Sequence, residues 1–300
     1  YLEMNSEKKY SYDIKIVNST DQGFNWSNPL KLHSDNTKTE HGFVSTINTK
    51  NGFLSTYLDG RQNELSNHDK SIRPQMTLRG TSYNIDGNIL EDLLIDDRVC
   101  DCCQTDLAIT ENGESIVVYR DRSEDEVRDI YYSYKKDSKW SNPINIFNDN
   151  WEISGCPVNG PAISTYKNNS AVVWYTFSEN KNQIKVVFTD NISSGFQRPI
   201  LVEANDPIGR VDIELLNPNN AIISFIDIID DKAYIKLQMI TKGGSQNKLL
   251  LIDESSESRS SGFPVITLNK EKSNTIIAWT ESKENFKIKT AVVENSFFFN

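Results

Sequence analysis

Cys100, Cys102 and Cys103 crowd one short run, Val99-Cys-Asp-Cys-Cys-Gln-Thr105, and Tyr119-Arg-Asp-Arg122 and Arg128-Asp129 follow closely. Sulfurs so near in sequence can bind a soft or borderline cation as thiolates, or can pair oxidatively. Guanidinium forks can grip a planar anion through paired, charge-assisted hydrogen bonds. Tertiary packing alone rarely calls for such a concentration, so the stretch from Arg98 to Arg128 reads as the rim of a site. The fourth cysteine, Cys156, lies in a second unusual run, Gly155-Cys-Pro-Val-Asn-Gly-Pro161.

The chain that must position these residues has 300 residues, 37% hydrophobic and 10% aromatic, enough to bury a core. Its formal net charge of -10 excludes a nucleic-acid backbone as the expected partner. No apolar run approaches the ~20 residues a membrane span needs. Four cysteines in so long a chain do not make a disulfide-rich scaffold. The chain shows no leader, and we expect more chain before Tyr1, where a signal or lipid anchor could lie.

Five segments share one pattern, in which a polar or glycine residue leads a short apolar run ending in an aromatic. They are Gly52–Arg61, Ser115–Arg122, Ser170–Phe177, Asn220–Asp227 and Asn274–Glu281, with aromatics at Tyr57, Tyr119, Trp174, Phe225 and Trp279. The aromatics lie 62, 55, 51 and 54 residues apart, and Tyr1 fits the same slot ahead of them. Each segment is preceded by a second strand-like run, and most are followed by a third. A period of about 50–60 residues with three or four strands per unit predicts a β-propeller. A small sheet cannot bury both faces alone, whereas radial stacking covers each face with a neighbour. The expectation is all-β, a six-bladed propeller in one domain spanning 1–300, its first blade incomplete at the N-terminus.

On this repeat, His41, the cysteine run, Cys156 with Asn159, and Gly209-Arg210 lead into innermost strands. Asp59-Gly-Arg61 and Arg120-Asp-Arg122 follow second strands. In a propeller both kinds of loop open on the face around the central channel, where ligands bind. These residues are therefore expected to converge. His33 and His68 read as exposed loop residues, and Lys135-Lys136 and Glu124-Asp-Glu126 as solvated faces.

Ser19-Thr-Asp21-Gln-Gly23-Phe-Asn-Trp26 has the form Ser-x-Asp-x-Gly-x-x-Trp, an Asp box. Asp21 can accept backbone N–H bonds in the turn, Gly23 permits positive φ, and Trp26 is expected to pack between sheets. Degenerate copies occur at Lys136–Pro143 and Thr189–Pro199. The chain here resembles the sialidase-like superfamily of Asp-box (BNR-repeat) propellers, and more closely a bacterial branch labelled sialidase family protein. The motifs that carry the resemblance are His41-Gly-Phe43, Leu58-Asp-Gly-Arg61, the Cys-x-Cys-Cys run, Tyr119–Arg122, Arg128-Asp-Ile130, the Gly-Cys-Pro run and Gly209-Arg-Val-Asp212.

The resemblance implies a glycan-active protein that binds, and in the enzymatic reading hydrolyses, an acidic sugar. Arg61, Arg120 and Arg210 are the expected carboxylate clamp, with Arg122, Arg128 and Asn159 as further binding residues. Asp59 would be the acid/base and Tyr119 the nucleophile, with Tyr175 as an alternative; sialidase-type chemistry uses a tyrosine. The Arg-Ile-Pro motif that opens sialidase catalytic domains is not found. Equally, any of these arginines can strut two blades through Asp59, Asp121, Asp129 or Asp212. The other reading is a non-catalytic binding propeller with a sulfur centre on the same face. A disulfide to Cys156 would close a loop of some 50 residues, worth about 3–4 kcal/mol. Alternatively Cys100, Cys102, Cys103 and Cys156, with His41 nearby, would hold Zn or Cu. The expected partner is a glycan or small anionic ligand, the protein a monomer, and its location secreted, periplasmic or surface-anchored.

Overall fold

The computed structural model describes residues 1–258, 261–281 and 286–299. Among them the chain forms six antiparallel sheets in strict chain order. The first holds β1 (Leu2–Met4), β2 (Tyr12–Ile16) and β3 (Leu30–Lys31). The second holds β4 (His41–Thr49), β5 (Gly52–Asp59), β6 (Thr77–Tyr83) and β7 (Ile89–Asp96). The third holds β8 (Asp106–Ile109), β9 (Ser115–Arg120), β10 (Ile130–Lys136), β11 (Lys139–Trp140) and β12 (Ile144–Asn145). The fourth holds β13 (Ala162–Tyr166), β14 (Asn169–Ser178), β15 (Lys181–Thr189) and β16 (Ile200–Leu201). The fifth holds β17 (Asp206–Asn217), β18 (Asn220–Ile229), β19 (Lys232–Thr241) and β20 (Gln246–Glu254). The sixth holds β21 (Val265–Leu268), β22 (Asn274–Glu281) and β23 (Lys287–Glu294).

The core divides into five apolar clusters, each made by two consecutive sheets. The repeat aromatics explain this division. Each projects into the joint with the preceding sheet: Tyr57 toward the first, Tyr119 toward the second, Trp174 toward the third, Phe225 toward the fourth and Trp279 toward the fifth. All five are buried, and burying one such side chain stabilises by about 1.5–3 kcal/mol. One aromatic per unit, always on the same strand and face, therefore sets the stacking. Tyr1, placed in the same slot by sequence, is 60% exposed.

Polar hooks on the innermost strands join the same pairs of sheets. Ser45 Oγ and Thr105 Oγ1 bond across to Thr105 O and Phe43 O. Asp106 accepts from Ile163 N, Leu215 N donates to Ser164 Oγ, and Asp212 accepts from Ile266 N. The one long interval in the repeat, between Tyr57 and Tyr119, is explained by an insertion. After β5 the chain forms the helix α1 (Arg61–His68) before returning as β6. Among the described residues no helix is long and apolar enough to cross a membrane.

The Asp box behaves as its sequence dictates at Asp21 and Gly23. Asn25 N donates to Asp21 Oδ1 at 2.8 Å and Gly23 has φ +89°. Trp26 does not pack between sheets; it is 61% exposed. The degenerate copies do pack. Trp140 joins the cluster between the second and third sheets, and Phe196 meets Tyr132 edge-on at 5.1 Å between the third and fourth.

Candidate functional site

The residues singled out by sequence do meet neighbouring sheets, but mostly as fasteners. Arg120 follows directly from the buried run of β9 and is itself 1% exposed. Its Nε donates to Asn159 O at 2.9 Å, and its two terminal nitrogens donate to Arg128 O and Tyr175 O at 2.6 Å each. Its plane lies 4.8 Å from the Trp151 ring. Arg210, held at φ +56°, fans its guanidinium over the carbonyls of Ser256, Glu257 and Ser258. Arg61 forms a fork onto Asp59, with Nε and a terminal nitrogen at 2.9 and 2.6 Å from Asp59 Oδ2. Arg61, Arg120 and Arg210 are thus committed at three different joints. They do not form the expected clamp; of the three only Arg61 pairs with an expected carboxylate, Asp59 of its own sheet, while Arg120 and Arg210 hold backbone carbonyls instead.

Asp59 is fully buried beneath Arg61 and does not reach a ligand as an acid would. Tyr119 is 1% exposed and donates its hydroxyl to Asp96 Oδ2 at 2.7 Å. Burial and then the Asp96 charge push its phenol well above the usual tyrosine range, opposite to the direction a nucleophile needs. Tyr175 is nearly buried and donates to Asn182 Oδ1. The packing role predicted by the repeat therefore decides Tyr119, and Tyr175 is spent on Asn182.

His33, expected in solvent, is 1% exposed and stacks on His41 with ring centroids 3.7 Å apart. His33 Nδ1 lies 2.6 Å and His41 Nε2 3.2 Å from Asp35 Oδ1. Asp13 and Asp59 flank the pair. The donor set resembles a metal site, yet one Arg61 nitrogen stands 2.6, 3.4 and 3.6 Å from Asp59, Asp35 and Asp92. A guanidinium fills the place a cation would take. Burial opposes but carboxylate partners, Asp35 first, raise the His41 pKa above its ordinary value. His41 belongs to this nest rather than to the cysteine cluster, where it was also placed as a ligand. His68 is exposed, as expected, at the end of α1.

Gly160 and Gly209 allow the sheets to approach. A Cβ at Gly160 would lie 1.9 Å from Gln104 O, and one at Gly209 2.3 Å from Asn159 Oδ1. Gln104 both accepts from Gly160 N and donates to Gly160 O. Asn159 accepts from Arg210 N and donates to Ile208 O. Asn159 is therefore a latch between the fourth and fifth sheets.

What remains unspent lies over the third sheet. Glu126, read from sequence as solvated, holds Arg122 at 2.8 Å and Arg128 at 2.7 Å, which lower its carboxyl to about 2. Arg128 also donates to Cys100 Sγ at 3.2 Å. No disulfide joins any of the four cysteines. The expected bond to Cys156 is not formed; Cys156 is exposed, its sulfur grouped with Asp101 and Cys102. Beside this cluster a pocket of about 460 Å³ opens between the second and third sheets, with Asp96, Asp121, Arg73, Arg98, Arg122 and Tyr131 among its walls. Burial first, then Asp96, pushes Asp121 up to about 7. Asp96 is also raised by burial, against the hydrogen bond from Tyr119. In the sequence Asp121 reads only as a strut partner, and Asp96 does not stand out. Its signal was its place at the end of β7, one step before the cysteine loop. A second pocket of about 360 Å³ lies where five sheets meet, with Phe43, Gln104, Asp106, Val158, Asp212 and Phe263 in its lining.

No protein-family model matches the chain, and no curated protein does. Solved structures do. Over 98% of this chain and 62% of its own, the Hadza microbial sialidase Hz136 is similar with TM-score 0.56 at 13% identity. Trypanosoma rangeli sialidase in complex with the inhibitor DANA covers 96% of this chain and 51% of its own, at TM-score 0.53 and 9% identity. Kuenenia stuttgartiensis hydrazine synthase covers 89% and 70%, at TM-score 0.53 and 8% identity. The chain thus spans about 62% and 51% of the two sialidases. At these identities the likeness is one of fold: all-β, built of successive antiparallel sheets in a propeller-like arrangement.

Proposed function

We propose that the protein binds, and hydrolyses, a glycoside bearing an acidic sugar in the cleft between Asp96 and Asp121, its six sheets closing as one six-bladed ring. The observation that carries this reading is that two carboxyl groups, those of Asp96 and Asp121, line one pocket of about 460 Å³ with arginines on its wall. A glycosidase needs one carboxyl protonated near neutral pH and another held as carboxylate. Asp121, pushed up to about 7, suits the acid that protonates the leaving oxygen. Asp96 receives the Tyr119 hydroxyl and Arg98 N, bonds that favour its anion against the burial that raises its pKa. Arg122 and Arg98 replace the sequence-derived clamp. A sugar carboxylate would exchange for Glu126 on Arg122, which now holds it. The fold likeness to two sialidases supports the substrate class. The reading carries with it a monomer acting outside the cytoplasm.

The test is turnover of fluorogenic sialosides and neutral glycosides between pH 5 and 7. Asp121→Asn is expected to lower kcat by about 10²–10⁴-fold, and Glu126→Gln to lower KM for acidic sugars only. Binding of sugars without turnover would favour the non-catalytic reading of the same face. Neither turnover nor binding would overturn both.

A further inference from the structure

The loop from β7 to β8 brings three sulfurs almost into contact. Cys100 Sγ lies 3.3 Å from Cys103 Sγ and 3.8 Å from Cys102 Sγ. All three atoms lie within 4.8 Å of one another. A disulfide would need about 2.0 Å. Thiolates about 2.3 Å from one tetrahedral metal ion stand about 3.8 Å apart, close to the spacing seen. A second set shares Cys102: the ligand atoms of Asp101, Cys102 and Cys156 also lie within 4.8 Å of one another. The loops leading into the third and fourth sheets thus deliver two ligand sets that share Cys102.

Packing does not explain this arrangement. Cys100 and Cys103 are buried and could fill space as small apolar residues. An apolar sulfur, however, has no use for a guanidinium, and Arg128 points one at Cys100 Sγ from 3.2 Å while Glu126 steadies its other nitrogen. The Arg128 side chain is 3% exposed, and its second carboxylate neighbour, Asp101, lies 3.7 Å away. A cluster of thiolates around a cation carries net negative charge, which a buried guanidinium offsets. The contrast with the histidine nest is useful. There Arg61 sits among the carboxylates in the cation's place; here Arg128 touches one sulfur from outside.

We propose that Cys100, Cys102 and Cys103 hold a single thiophilic cation, Zn(II) or Cu(I), and that Cys156 or Asp101 completes its shell on the exposed side. Each thiol releases its proton to solvent as the metal binds. The site stands over the joint of the third and fourth sheets and is independent of the glycan reading.

The full chain, purified anaerobically with and without reductant, is tested for metal by mass spectrometry of its elements after growth with added Zn or added Cu. The expected result is about one equivalent per chain, with the preferred metal named by the two growths. Replacement by Co(II) is expected to give intense thiolate-to-cobalt charge-transfer absorption. Cys102→Ser, at a partly exposed position, is expected to weaken the metal at least about tenfold against a chelator, with circular dichroism checking the fold. Cys156→Ser and Asp101→Asn separate the two candidates for the outer ligand. Metal-free protein with four titratable thiols would overturn the proposal, as would a mass lower by two hydrogens and restored by reductant. Metal kept by Cys102→Ser but lost from His41→Gln would move the site to the histidine nest and overturn it equally.

Discussion

The histidine nest and the cysteine loop are built from the same kind of material and behave as opposites. Both gather buried, ligand-type side chains at the place where one sheet hands over to the next. In the nest, Asp35 and Asp59 are already closed on Arg61, with His33, His41 and Asp13 beside them. In the loop, the sulfurs face one another with the nearest guanidinium at their edge. Residue types suited to a metal are therefore insufficient evidence for one; what counts is whether the protein's own cation occupies the centre.

The largest expected effect tests the nest. Arg61→Ala leaves Asp35, Asp59 and Asp92 without their shared cation and is expected to cost about 3–5 kcal/mol in urea unfolding. A loss below about 1 kcal/mol would break the comparison, since the nest would then need no internal cation. Next comes the approach of the cysteine loop to the fourth sheet. Gly160→Ala forces a methyl against Gln104 O, 1.9 Å from the ideal Cβ, and is expected to cost at least about 1–3 kcal/mol.

The pH dependence separates individual groups in sign. Asp121 and Glu40 are pushed up to about 7, Asp106 to about 6 and Asp212 to about 8, in each case chiefly by burial. The folded state holds these protons longer than the unfolded one. Their contribution to stability is therefore present below the ordinary carboxyl range and is lost as pH rises through about 6–8. Asp35 and Asp92 in the nest, and Glu126 by the cysteines, are lowered. Their contribution is present above the ordinary range and lost on acidification. Thermal melts are expected to decline from mildly acidic pH toward pH 8, and Asp212→Asn to flatten that decline. A wild-type melting temperature rising steadily over this range would contradict the assignment. The smallest contrast concerns the Asp-box aromatics: Trp26→Ala is expected to stay within about 0.5 kcal/mol, and Trp140→Ala to cost about 2 kcal/mol.

The repeat was legible because each unit carries one aromatic at the end of an apolar run, and Tyr57, Tyr119, Trp174, Phe225 and Trp279 all serve the same joint. The outermost strands were not located. Leu30–Lys31 and Ile200–Leu201 are too short to show a period, and Ile89–Asp96 is broken by acidic residues. The third strand of the second sheet was hidden behind α1. His33 misled because Ser34, Asp35 and Asn36 around it are ordinary loop residues; only the fold shows Asp35 turned inward. The arginines were found but their duties were not, since a guanidinium bound to three carbonyls reads in sequence like one awaiting a ligand.

The hooks between inner strands have a further consequence. Each ties a sheet only to its immediate neighbours, from Ser45 and Thr105 through Asp106 and Ser164 to Asp212. Loss of one hook opens a joint between two neighbouring units, so unfolding is expected to spread from joint to joint. Amide exchange should be slowest in β14 and β18, whose side chains are nearly all buried, and should quicken toward β1 and β23.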